Sequence, residues 1–334
     1  MADTSHIFFR ADDRSFYSLL KKDIHKFCID NGVPESRINN VDIVIAELTS
    51  NLQKHAIGGN IMIKIGDDKA QRYVEIICFD DGPGISDLSR VMADGYSSVN
   101  TMGHGLGSIR RMSDYFDIFS LRNWGTVMVT RLFINKETTS QRSIAEFRGI
   151  NIPKTGESVS GDGYSFQEIP TGFKIILADG LGHGVDANIA TQAAVQAFLN
   201  NNTNSPMEMI RLIHASIRKT RGCVGTVIFY DKGKHEWRFA GVGNIVLKWH
   251  GEDVKTSPSY NGIIGHNIPT SINDSVLSAG EFPIMIACSD GIRSNWNISR
   301  FPQIVRNDGT VLATAIFKEF NRNTDDASVI VCKL

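Results

Sequence analysis

The chain has 334 residues, a length that suits about two domains. With 42% hydrophobic and 21% charged residues it can bury a core, which excludes both a wholly disordered chain and a disulfide-stapled miniprotein. Lys plus Arg total 35 against 36 for Asp plus Glu, so no overall field steers the chain onto nucleic acid or an anionic membrane.

Helical spacing of Phe16, Leu19, Leu20, Ile24, Phe27 and Cys28 predicts a helix over 13–31, stopped by Gly32. A second helix is predicted over 36–56, with Ser36 as its cap and Val41, Val44, Ile45, Leu48 and Leu52 on one face. Strand-like runs follow at 61–65 and 73–79. A glycine-rich stretch spans 81–107, then a helix at 107–114 and strands near 115–121 and 126–134. Residues 135–143 (NKETTSQRS) are polar and without period, and read as a linker between a domain at 1–134 and another at 144–334. Beyond it strands are predicted near 144–152, 164–169, 173–179, 224–230, 236–241, 244–249, 284–288 and 328–333, with helices at about 184–200 and 206–220. The whole reads as α+β: an α/β sandwich first, then a β-sandwich flanked by helices.

The opening residues MADTSHIFFRADDRSF carry neither a basic nor an apolar leader segment, so a cytoplasmic protein is expected. No apolar run approaches the ~20 residues that cross a bilayer. The five cysteines are widely spaced, odd in number and form no C-x-x-C, so they read as small core hydrophobes.

Glu47 and Asn51 lie four apart on the second predicted helix, outside its apolar stripe, and so share a face. A carboxylate can take a proton from an attacking hydroxyl, and an amide oxygen suits Mg²⁺. The strand at 73–79 runs into Asp80-Asp81-Gly82-Pro83-Gly84-Ile85, and Gly103-His104-Gly105-Leu106-Gly107 opens a helix. Such glycines let backbone N–H groups approach phosphate oxygens, helped by the helix N-terminus. Neither run has P-loop or dinucleotide-fold spacing.

In this order the pieces resemble the GHKL ATPase domain over residues 5–134. Glu47 to Asn51 resembles its N box, Asp80-x-Gly82-x-Gly84 its first glycine box, and Gly103-x-Gly105-x-Gly107 its second. Gly125-Thr126 resembles its last adenine contact. The resemblance implies ATP with Mg²⁺ as cofactor. Asp80 and Thr126 would contact adenine, Asn51 would hold Mg²⁺, the glycines would wrap the phosphates, and Glu47 would be the catalytic base. Ala46 stands where histidine kinases carry a histidine. Ala93-Asp94-Gly95-Tyr96-Ser97-Ser98 resembles the lid of anti-sigma-factor and stressosome switch kinases, which phosphorylate Ser or Thr of STAS-domain proteins.

The second half holds Ser-Gly-Asp-Gly at 160–163, Ala-Asp-Gly-Leu-Gly-His-Gly at 178–184, Ser-Asp-Gly-Ile at 289–292, and Asp325-Asp326 before a final strand. Carboxylates at strand ends can converge on one edge of a sandwich, where cations offset their repulsion. The set resembles the SpoIIE-type branch of the metal-dependent serine/threonine phosphatases, over residues 144–334. It implies two Mn²⁺ or Mg²⁺ ions. Asp179 would be the bridging and catalytic ligand, joined by the Gly180 carbonyl, Asp290 and Asp325, with Asp162 acting directly or through water. Asp326 reads as a turn residue, and His183 as either facing the metal edge or bracing its loop.

Together the two resemblances imply a bifunctional partner-switching enzyme: a kinase for a STAS-domain partner, and a phosphatase for the same partner or a related one. The alternative is a phosphatase whose first domain binds nucleotide and partner without transferring phosphate. No nucleic-acid or membrane partner is implied, and a homodimer is among the states the resemblance allows.

Overall fold

The computed structural model describes residues 5–11, 13–68, 71–88, 105–135 and 144–334. The chain divides into two compact units. Unit 1 comprises Met1–Gln141 and Ile298–Thr314, and unit 2 comprises Arg142–Asn297 and Ala315–Leu334. The predicted lid at 93–98 and most of the predicted linker lie outside the described residues.

Unit 1 is built on one antiparallel sheet. Its strands are β1 (Ile7–Arg10), β2 (Gly59–Asp68), β3 (Gln71–Asp80), β4 (Tyr115–Leu121) and β5 (Gly125–Phe133), in the order β1-β2-β3-β5-β4. Helices α1 (Tyr17–Asp30), α2 (Glu35–His55) and α3 (Gly105–Met112) supply the other layer. Leu20, Ile24 and Cys28 of α1, Val44, Ile45 and Leu48 of α2 and Ile109 of α3 pack with Ile61, Ile63, Val74, Ile76, Cys78, Met128 and Leu132 of the sheet. Helix α2 begins at Glu35, with Pro34 rather than Ser36 at its cap. Proline's fixed φ and its lack of an N–H suit a helix start. Glu35 in the first turn and Lys54 and His55 in the last complement the helix dipole.

The other sheet face is buried too: Met62, Ile77, Val127 and Val129 are all fully covered. Part of that cover comes from Ile298–Thr314, far along the chain. Phe301 packs against Trp124 and Phe119, with ring centroids 5.3 and 6.4 Å away. Asn307 Nδ2 donates to Asp117 Oδ1 at 2.8 Å.

Unit 2 is a sandwich of two antiparallel five-stranded sheets. The first holds β7 (Asp162–Ile169), β8 (Gly172–Gly180), β9 (Cys223–Asp231), β10 (Glu236–Val242) and β13 (Ser275–Ser278). The second holds β6 (Glu146–Ile152), β11 (Val246–His250), β12 (Val254–Ser257), β14 (Ile284–Cys288) and β15 (Ala327–Lys333). Side chains alternate across each strand. One set, including Phe173, Leu177, Ile228, Trp237, Trp249, Met285 and Ile330, therefore fills the space between the sheets. The other set on the first sheet, including Ile176, Val227 and Phe229, meets α4 (Val185–Asn200) and α5 (Pro206–Ser216) through Val195, Phe198, Ile210 and Ile213. Helix α6 (Gly309–Phe320) carries buried residues along its length.

All five cysteines are buried and free. Burial pushes the thiols of Cys28 and Cys223 up to about 12, which removes them as nucleophiles. Among the described residues no helix is long and apolar enough to cross a membrane.

Burial, with Lys248 adding to it, pushes the His250 imidazole down to about 4, against an ordinary value near 6.5. The folded state thus favours the neutral ring. Its stabilisation is complete above about pH 6.5 and is lost as pH falls toward 4. We expect His250→Phe to flatten the acid-side decline of unit 2's melting temperature across that window. An unchanged slope in thermal scans would show that another group governs it.

Candidate active sites

In unit 1, α2 presents Glu47 and Asn51 toward the start of α3. A Cβ placed on Gly105 would stand 3.1 Å from Asn51 Oδ1 and 3.4 Å from Glu47 Oε2. The glycine lets the helix N-terminus approach both side chains, a geometry suited to phosphate and its cation. Gly107 lies two residues further into α3. Gly103 lies outside the described residues.

Beside the C-terminal end of α2, Asp80 closes β3 and pairs in register with Thr126 of β5. Asp80 is buried, and its Oδ1 accepts from the Gly82 N–H at 2.7 Å. Gly84 and Gly125 have φ of +72° and +110°. A Cβ on either would come within 2.0 Å of a backbone oxygen, of Leu121 and of Asp80 respectively. These glycines set the loop tight against the strand ends. Ser120 of β4 supports this end of the sheet. Its hydroxyl lies 2.9 Å from Thr126 Oγ1, donates to the Gly125 carbonyl and accepts from the Ile85 N–H at 2.8 Å. An ordinary strand serine carries no local signal for this.

In unit 2 the aspartates meet at one end of the sandwich. Asp162 opens β7 and pairs in register with Asp179 near the end of β8. Asp162 is buried, with Oδ2 accepting from Ser289 Oγ at 2.7 Å and Oδ1 left without a partner. Burial is the main force raising its carboxyl to about 7, with Asp326 and Asp290 adding repulsion. Asp179 is raised well above the carboxylate range, first by burial and then by Asp162, Asp290, Asp325 and Asp326. Burial and Asp325 raise Asp290, against a 2.9 Å hydrogen bond donated by Asn244 Nδ2.

Asp326 is a buried brace rather than a turn residue. Its two oxygens accept from the backbone N–H of Lys154 at 2.8 Å and of Gly161 at 2.9 Å. A strand-edge aspartate facing two incoming backbones satisfies both more fully than a solvent turn would. His183 pairs with Glu157 at 2.6 Å, which braces the loop after β8. Gly180 sits under the first turn of α4, where a Cβ would lie 2.4 Å from the Ala187 carbonyl oxygen. Gly180→Ala is therefore expected to cost about 1–3 kcal/mol by overpacking. Denaturant unfolding checks this, and an unchanged midpoint would refute the tight contact.

Among the described residues no group of three or more His, Cys, Asp or Glu side chains is placed to hold a metal ion. The donors are nonetheless all oxygen, crowded and acidic, and the partnerless Asp162 Oδ1 lies among them. Such a set fits Mg²⁺ or Mn²⁺, cations that take oxygen ligands and keep several waters.

No protein-family model matches the chain. Two of the solved structures that are similar in fold illustrate the likeness. One, described as "The bacterial stressosome: a modular system that has been adapted to control secondary messenger signaling", has a TM-score of 0.52 at 24% identity and covers 57% of this chain and 99% of that one. The other, RsbX in complex with magnesium, has a TM-score of 0.51 at 16% identity and covers 58% and 98%. The chain is thus a mixed α/β protein that shares the fold of RsbX over 58% of its length. It is also 36% identical over 94 residues to serine/threonine-protein kinase RsbT of Bacillus subtilis (strain 168), covering 28% of this chain and 68% of that protein. By that match the chain belongs to the RsbT family.

Proposed function

We propose that the chain is a bifunctional partner-switching regulator. Its GHKL-type unit 1 phosphorylates Ser or Thr on a STAS-domain protein with Mg·ATP. Its phosphatase unit 2 removes phosphate from the same partner or a related one. The observation that carries the reading is that one chain combines kinship to RsbT with the fold of RsbX. Each unit also has an acidic centre of its own.

In this reading Asp80 and Thr126 hold the adenine. The α3 N-terminus, with Gly105 and Gly107, receives the phosphates, and Asn51 offers its oxygen to Mg²⁺. Glu47 takes the proton of the attacking hydroxyl. In unit 2, Asp179, the Gly180 carbonyl, Asp290 and Asp325 would hold two divalent ions, with Asp162 behind them. The ions, when bound, supply a water of lowered pKa and charge stabilisation at the phosphorus. Ser289 and Asn244 fix the orientation of Asp162 and Asp290, and Asp326 ties the neighbouring loops so that the acids stay together.

The test is incubation of the chain with Mg·ATP and a candidate STAS-domain protein, followed by intact mass. One added phosphate is the expected result. No addition at any metal concentration would sink the kinase half and leave a nucleotide-binding module that gates the phosphatase.

A further inference from the structure

Within unit 2 the chain between α5 and β9 reads Arg218-Lys219-Thr220-Arg221-Gly222, a basic turn closed by glycine. Its backbone is tied at several points. The Gly222 carbonyl accepts from the Leu181 N–H at 3.1 Å, and the Gly222 N–H donates to Thr220 Oγ1 at 3.1 Å. His266 Nε2 donates to the Arg221 carbonyl at 2.8 Å. Cys223 and Ile264 exchange backbone hydrogen bonds of 2.8 and 3.0 Å. Gly222 has a φ of +76°, and a Cβ there would stand 2.7 Å from the Ile264 carbonyl oxygen, so the turn requires glycine.

The Arg221 side chain is the loose part of this rigid turn. It is half exposed, and its Nη2 donates at 2.7 Å to Oδ2 of Asp186, itself exposed in the first turn of α4. Exposed ion pairs of this kind contribute little stability, so Asp186 can be exchanged for another anion. The place of the guanidinium is better defined than its partner. A Cβ on Gly182 would stand 3.3 Å from Arg221 Nη1, so the cation lies against the loop that directly follows Asp179 and Gly180. The acids gathered there would repel a phosphate monoester, which is itself an anion. A guanidinium at their border offers a planar fork that matches phosphate oxygens.

We propose that Arg221 is a substrate-binding residue of the second site: it exchanges Asp186 for the non-bridging oxygens of a phosphoserine or phosphothreonine. This rests on the reading of unit 2 as a phosphatase. In the hydrolysis the oxygen of water bonds to phosphorus and the bond from phosphorus to the side-chain oxygen breaks. That oxygen departs carrying a proton. The oxygens on Arg221 keep their bonds to phosphorus throughout, so inorganic phosphate, the product, binds through the same contact.

The test uses the full chain with Mn²⁺, p-nitrophenyl phosphate as substrate and inorganic phosphate as competitive inhibitor. Arg221→Gln should lower kcat/KM and raise the inhibition constant of phosphate, each by about 10- to 100-fold, the scale of hydrogen bonds to a charged group. Its melting temperature and the Mn²⁺ concentration for half-maximal activity should stay at the wild-type values. Arg221→Lys, which keeps the charge without the fork, should fall between. Asp186→Asn breaks the same ion pair from the other side, and should leave the inhibition constant equal to that of wild type or lower. Equal losses in Arg221→Gln and Asp186→Asn would make the pair a structural brace and overturn the proposal. Unchanged phosphate inhibition in Arg221→Gln would also overturn it, as would a loss that extra Mn²⁺ restores. A wild type that hydrolyses neither p-nitrophenyl phosphate nor a phosphoserine peptide overturns the phosphatase reading itself, and the proposal with it.

Discussion

Asp179→Asn should cut the release of phosphate from a phosphoserine protein by about 10³-fold, the scale of losing one preorganised electrostatic group. Asp179 is the acid on which the others converge: Asp162, Asp290, Asp325 and Asp326 all press on its charge. The amide keeps the shape and one oxygen but no longer attracts a cation. The same change should stabilise the protein when divalent ions are chelated. A buried carboxylate among four others is costly, and relieving about 1 kcal/mol of that cost raises the melting temperature of a domain this size by about 2–4 °C. Wild type should gain thermal stability from added Mn²⁺ by mass action, and the variant should gain much less. Catalysis lost together with a lowered melting temperature in chelator would point instead to simple misfolding.

Glu47→Gln should slow phosphate transfer to the partner by about 10²–10⁴-fold, the range for a missing general base. Nucleotide affinity should stay within a few-fold, because the contacts proposed for adenine and phosphate lie on β3, β5 and α3. Asp80→Asn should do the opposite. It turns one oxygen of a buried acceptor into a donor, and a mismatched buried hydrogen bond costs about 1–3 kcal/mol. Nucleotide binding should therefore weaken by about 10- to 100-fold. Calorimetric titration with the ATP analogue separates the two variants. If both lose affinity alike, Glu47 is a binding residue and the chemistry assigned to it is wrong.

Much of this frame was legible in the sequence. The spacing predicts helix α2 over 36–56, and it spans Glu35–His55; the strand predicted over 73–79 spans Gln71–Asp80. Both are long, strongly patterned and bounded by glycine or proline. Other elements have weak local signals. Strand β1 has four residues and reaches its place only by pairing with β2. Helix α6 is apolar around its circumference, so no helical period stands out in TVLATAIF.

Asp162, Asp179 and Asp290 stand out in the sequence because each adjoins a glycine near a strand end, whereas Glu47 stands out only through its spacing from Asn51 and Asp325 only through its place before the last strand. Their supports do not, since Ser120, Ser289 and Asn244 are common residues whose roles arise only from tertiary contact. Glu75 is a clue of another kind. A lone carboxylate inside YVEIICF demands a buried partner, and the partner's own anchor, Asp308, lies 177 residues beyond Arg131.

The most direct test follows phosphate occupancy of one STAS-domain protein by intact mass, with wild type, Glu47→Ala and Asp179→Asn in parallel. Each starts from both the phosphorylated and the unphosphorylated partner, with ATP, Mg²⁺ and Mn²⁺ present. The account predicts that Glu47→Ala only removes phosphate, that Asp179→Asn only adds it, and that wild type does both. A single substitution that abolished both activities would contradict two separate sites.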